Sequence, residues 1–110
     1  MKLTIIKDDG AVYKDGKNYL NLSLSSVPSD VHALQWNNDK GHIEFTDNSK
    51  LNEQITELPS WANDALTVWQ QAYVEEQAAI LAAEEAARLE AEQDAILAAE
   101  QATQNQTPSA

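Results

Sequence analysis

Two histidines, His32 and His42, and two adjacent glutamate pairs, Glu75-Glu76 and Glu84-Glu85, are the side chains of this sequence best suited by type to hold a metal or move protons. Either chemistry requires convergence, of ligands on one ion or of an acid and a base on one reacting bond. Neighbours on a helix diverge by about 100°, so neither glutamate pair can form a dyad and solvated faces explain them better. In the hairpin register derived below, His32 and His42 fall on opposite faces, which predicts one half-buried and one surface histidine rather than a shared metal. There is no cysteine, which removes disulfides, thiolate chemistry and thiolate zinc sites together. Gly10, Gly16 and Gly41 are the only glycines, and each belongs to a turn rather than to a phosphate-cradling loop. Trp61 and Trp69 could act as exposed recognition aromatics, but their positions near a helix start suit a core and its rim better. The residues therefore predict no catalytic, cofactor or metal site, and a protein that is not an enzyme.

The elements that would position a different kind of site come in two parts. Residues 1–58 read as a small β domain. Leu3-Thr4-Ile5-Ile6 is rich in β-branched residues and ends at Asp9-Gly10, and Ala11-Val12-Tyr13 ends at Asp15-Gly16. Asn18 to Leu24 then alternates polar and apolar up to Pro28. In VHALQWNNDKGHIEF, Asn37-Asn38-Asp39-Lys40 forms a loop and Gly41 supplies a residue able to take positive φ. If Trp36 faces Gly41, then Leu34 faces Ile43 and His32 faces Phe45. That register puts Leu34, Trp36, Ile43 and Phe45 on one side and Gln35, His42 and Glu44 on the other.

Residues 59–103 read as one long acidic helix. Pro59 and Ser60 give a stop and an N-cap, and Asp64 suits the positive end of the helix dipole. From Trp61 to about Ala102 there is neither Gly nor Pro, and Ala, Glu, Gln and Leu dominate. At about 100° per residue, Ala62, Leu66, Trp69, Tyr73 and Ile80 form a narrow apolar stripe. This predicts that residues 59–80 dock on the Leu34/Trp36/Ile43/Phe45 face, with Leu66, Trp69 and Tyr73 in the domain core. The repeated AILAAE segments at 79–84 and 95–100 are not one seam, because their 16-residue offset turns Ile80 and Ile96 about 160° apart. A second stripe of Val74, Leu81, Leu89 and Ile96 lies within about 80° on another face. It makes residues 81–103 a partner-docking or oligomerising segment, with a solvated helix that frays and a hairpin as the other readings. Residues 104–110 read as a polar tail. The expected fold is α+β: a small antiparallel β-meander domain packed on the start of a long C-terminal helix.

Charge follows the same division. The first part carries six lysines against nine acids, whereas Arg88 stands alone against nine acids beyond residue 60, and the whole chain is at −11. Such a balance disfavours nucleic acid, whose phosphates require clustered Lys and Arg. No apolar run reaches the length of a signal core or a membrane span, so a soluble protein without a cleavable signal and without a membrane partner is expected.

Residues 31–72, VHALQWNNDKGHIEFTDNSKLNEQITELPSWANDALTVWQQA, resemble a family of small proteins of tailed bacteriophages. The resemblance rests on the joint spacing of VHALQW, a turn, G-x-IEF, NE-x-I-x-ELP-x-WA and a nearby Trp, and KLTIIKDDGAVYKDG resembles the start of such proteins. It covers roughly residues 1–72. The stretch ARLEAEQDAILAAEQATQNQTP is similar to the charged helical end of phage tail assembly chaperones, with Gln93-Asp94-Ala95-Ile96-Leu97 where those carry a basic element and without their closing Trp. The resemblance implies a non-enzymatic tail-associated protein of the host cytoplasm during phage assembly. It would act as chaperone or adaptor for a tail or tail-fibre protein; the helical stripe read above, not the resemblance, makes Val74, Leu81, Leu89 and Ile96 the partner-binding residues, with self-association through the helix as a variant. The alternative is a permanent component of the virion tail at the baseplate or fibre attachment. A remoter alternative, motivated by the charge, is an acidic decoy of a host nucleic-acid-binding protein.

Overall fold

The computed structural model describes residues 1–105, the last three by their backbone alone. Six strands, β1 (Lys2–Ile6), β2 (Ala11–Lys14), β3 (Lys17–Tyr19), β4 (Val31–Asn37), β5 (Lys40–Phe45) and β6 (Glu53–Ile55), precede one helix, α1 (Ser60–Asn105). All neighbouring strands are antiparallel and the sheet order is β3-β2-β1-β4-β5-β6. Two three-stranded meanders are thus joined along β1 and β4, and the fold is α+β as expected. The chain divides into two compact units, Met1–Tyr73 and Val74–Ala110.

The turns follow from the residues in them. Asp15 and Gly16 both have positive φ, at 47° and 89°, the combination that a two-residue hairpin turn demands and that Asp-Gly supplies with least strain. In the β4–β5 turn the positive φ belongs to Asn38, at 62°, and not to Gly41 as expected. Gly41 is needed for a different reason. It sits opposite Trp36, and a Cβ there would lie 2.1 Å from the backbone oxygen of Gln35. Gly10 combines both roles, with φ at 57° and the Leu22 backbone oxygen 2.7 Å from where its Cβ would be.

The expected β4–β5 register holds from Trp36↔Gly41 through Leu34↔Ile43 to Ala33↔Glu44 and then breaks. A bulge between Val31 and Ala33 pairs Val31, not His32, with Phe45. The physical gain is plain: Val31 becomes buried, while the His32 ring stays half in water and 3.4 Å from the Asp8 carboxylate. The strand expected over residues 18–24 is shorter, because Asn21 turns the chain at φ 59° after Tyr19. Leu22 and Leu24 leave the sheet there, and Leu24 and Val27 fold over one face of it. The edge strand β6 was not expected from the sequence.

That covered face is the core. Leu3, Ile5, Val12, Leu34, Trp36 and Ile43 from the sheet meet Leu24, Val27, Ala62, Ala65 and Trp69, with Phe45, Leu66 and Trp61 partly buried around them. The helix therefore seats on its alanines. Ala62 and Ala65 are wholly inaccessible and allow close backbone approach, whereas Leu66 flanks the contact instead of filling its centre. Trp69 locks the end of this seam: its indole Nε1 donates to the Lys17 backbone oxygen at 3.0 Å, its ring meets Tyr19 edge-on, and Lys14 Nζ lies 4.7 Å from its centroid. Tyr73, expected in the core, is instead 37% exposed and stacks on the outer side of Trp69. Ile80, the expected end of the docked stripe, is exposed and belongs to the second unit. The helix also begins one residue early. Pro59 carbonyl accepts from the Ala62 and Asn63 amides, which makes Ser60 the first helical residue rather than the cap. The helical backbone runs on past the expected 103 to Asn105, and the rest of the expected polar tail, residues 106–110, lies outside the described residues.

Candidate interaction surfaces

Two surfaces remain once the core is assigned. The first is the uncovered side of the sheet. Register places Asn18, Tyr13, Thr4, Gln35, His42 and Gln54 directly beside one another, one residue per strand across all six strands. Strict alternation explains this row. Leu3 and Ile5, Val12, Leu34 and Trp36, and Ile43 turn into the core, so their sequence neighbours must turn out. The Thr4 hydroxyl donates to Gln35 Oε1 at 2.7 Å and fixes that amide in the middle of the row. A concavity of about 440 Å³ opens here, with Lys2 and Lys40 among its walls.

The second surface is the helical unit that starts at Val74. Val74, Leu81, Leu89 and Ile96, the expected partner-binding residues, are 54%, 65%, 51% and 51% exposed. None of them contributes to the buried core. Between residues 74 and 102 Arg88 is the one base among eight acids, and it lies 3.8 Å from Glu85 and 4.0 Å from Glu92 on its own helix. No protein-family model, curated protein or solved structure matches this chain. The two surfaces must accordingly be read from their chemistry.

Among the described residues no group of three or more His, Cys, Asp or Glu side chains gathers where a metal could bind. His42 lies 3.9 Å from Glu44, its neighbour but one along β5, and His32 faces Asp8 at the bulge. Of the expected core residues, Leu34, Trp36, Ile43 and Trp69 are buried together, Phe45 and Leu66 pack partly buried at their edge, and Tyr73 lies outermost. The polar row across the sheet was missed by the sequence analysis. Its central members were visible as the outward positions of the β4–β5 hairpin, but their alignment with Thr4, Tyr13 and Asn18 depends on the pairing of β1 with β4. No helix among the described residues is long and apolar enough to cross a membrane.

Proposed function

We propose that this protein is a non-enzymatic, tail-associated bacteriophage protein that serves tail or tail-fibre assembly as a chaperone or adaptor, holding its partner through the helical unit beyond Tyr73. The resemblance of residues 1–72 supports the tail context. The observation that carries the interaction role is the half-exposed line of Val74, Leu81, Leu89 and Ile96 on a helix with eight acids and one base. A helix that leaves such apolar side chains in water is suited to lie in another protein's groove, and because Glu85 and Glu92 fall within the same arc the groove must also receive carboxylates. Identical parallel copies would bring like charges together, so the fitting partner is a different protein whose apolar groove is rimmed by Lys or Arg.

The magnitude agrees with a temporary escort. About half of each of the four side chains is already out of water, so completing their burial contributes on the order of 1 kcal/mol each, or about 4 in all. Association costs at least about 4 kcal/mol in lost freedom, so the stripe needs help from charge contacts and gives a reversible grip. The work would be done in the host cytoplasm before the particle matures. Peptide mapping of purified particles from a phage that encodes the chain tests this. An escort is absent from the particle; stoichiometric presence overturns the escort reading in favour of a permanent tail component.

A further inference from the structure

One concavity on the uncovered face of the sheet has a charge pattern opposite to that of the chain. Acids outnumber bases 18 to 7 overall. Yet the concavity on this face is walled by Lys2, Lys40 and His42, and none of the described residues lining it is acidic. Register explains how the cations meet. Lys2 pairs with Asn37 and Asn37 pairs with Lys40, so the two lysines stand on either side of one residue, with Cα atoms about 10 Å apart at two strand spacings. Side chains of that length can close on one ligand from both sides.

The neutral groups point the same way. Gln35 Oε1 is occupied by the Thr4 hydroxyl, which leaves the Gln35 amide nitrogen to donate. Tyr13 is 44% exposed and offers a phenolic hydroxyl, with the flat side of its ring, beside Thr4. Glu44 lies 3.9 Å from His42, beyond the lining itself, and would be the group a ligand has to displace from that imidazole. The cavity is therefore rich in donors and positive charge, and its volume of about 440 Å³ lies within the range of about 300–1,000 Å³ that small-molecule sites occupy.

We propose that this concavity is a binding site for a small organic anion carrying two carboxylates, held between the Lys2 and Lys40 ammonium groups with the Gln35 amide and His42 imidazole as further donors. Two carboxylates suit the separation of the two lysine backbones, and Lys, as a mobile point charge, accepts either oxygen geometry. The site lies wholly within Met1–Tyr73 and is independent of the role proposed for the helix.

The test is amide-resolved NMR of the full chain titrated with succinate, with inorganic phosphate and with sodium chloride at matched ionic strength. Succinate is expected to give a saturable shift centred on Thr4, Gln35 and His42. The double variant Lys2→Gln/Lys40→Gln is expected to weaken it at least tenfold, while Lys50→Gln, in the β5–β6 connection with its ammonium over the Phe45 ring, leaves affinity within about twofold. Both substituted lysines are exposed, so the fold is retained. A saturable response to phosphate but not to succinate keeps an anion site and overturns the dicarboxylate. Shifts that follow ionic strength alone, or that survive the double variant, overturn the site.

Discussion

Trp69→Ala removes the side chain on which the helix-to-sheet contact depends. In the folded chain the indole is 6% exposed, bonded to the Lys17 carbonyl at 3.0 Å, edge-on to Tyr19 at 5.8 Å and stacked on Tyr73 at 5.4 Å. Truncating a buried Trp costs about 3–5 kcal/mol through lost transfer free energy and the cavity left behind. The compact unit of residues 1–73 should have a net stability of roughly 4–11 kcal/mol at the usual 0.05–0.15 per residue. The substitution therefore takes a large share of the stability, and near the lower figure it takes all of it. Urea unfolding followed by the fluorescence of Trp36 and Trp61 measures the loss, because far-ultraviolet dichroism would be dominated by the long helix. Trp69→Phe keeps a ring against Tyr19 but loses the Nε1 donor, and should fall about 1–2 kcal/mol below wild type, mostly from smaller ring volume and the orphaned carbonyl. A loss below about 1 kcal/mol for Trp69→Ala would refute the claim that this indole holds the helix to the sheet.

Further predictions concern separate features. Gly41→Ala puts a Cβ against the Gln35 backbone oxygen and should destabilise the same unit by about 1–3 kcal/mol in urea, although Gly41 has no positive φ. Ser60→Ala should shift stability by less than about 0.5 kcal/mol, against about 1 for a true N-cap, because Pro59 occupies the cap. The Asp47 carboxyl is held below its ordinary value of 3.8, first by the Ser49 hydroxyl at 2.7 Å and then by the Ser49 amide at 2.9 Å. Its contribution to stability is therefore fully present above the unfolded value and lost as pH falls through the folded one, and Ser49→Ala should move the NMR titration of Asp47 upward. Leu81→Glu and Ile96→Glu should leave urea stability of the folded unit within about 0.5 kcal/mol, since both side chains are exposed.

Local chemistry made much of this legible in the sequence. Two Asp-Gly turns, the alternation of β4 and β5 and the Gly- and Pro-free run beyond Pro59 led to the right elements. What escaped was set by distant parts of the chain. The pairing of β1 with β4 joins residues far apart in sequence, and nothing in either strand announces it. The bulge at His32 arises because burying Val31 is more favourable than burying an imidazole, a comparison that needs the neighbouring strand. Glu53-Gln54-Ile55 has no apolar run, and its pairing with β5 comes from an available edge. On the helix, Leu66 and Tyr73 stand out in the sequence by size, whereas the value of Ala65 lies in its smallness against the sheet, which only the packed structure reveals. The exposed stripe from Val74 to Ile96 was visible because helical angles alone define it, whereas the polar row on the sheet requires all six registers.

The central claim is that this stripe holds a different protein. Under the proposed function, co-expression of the full chain with candidate tail or tail-fibre proteins, followed by light-scattering mass of the purified product, tests it most directly. The account predicts a defined complex with the wild-type chain and separate species with Leu81→Glu/Ile96→Glu, whose folded unit remains intact by tryptophan fluorescence. A complex formed equally well by the double variant, or a wild-type chain that associates only with copies of itself, would contradict the account.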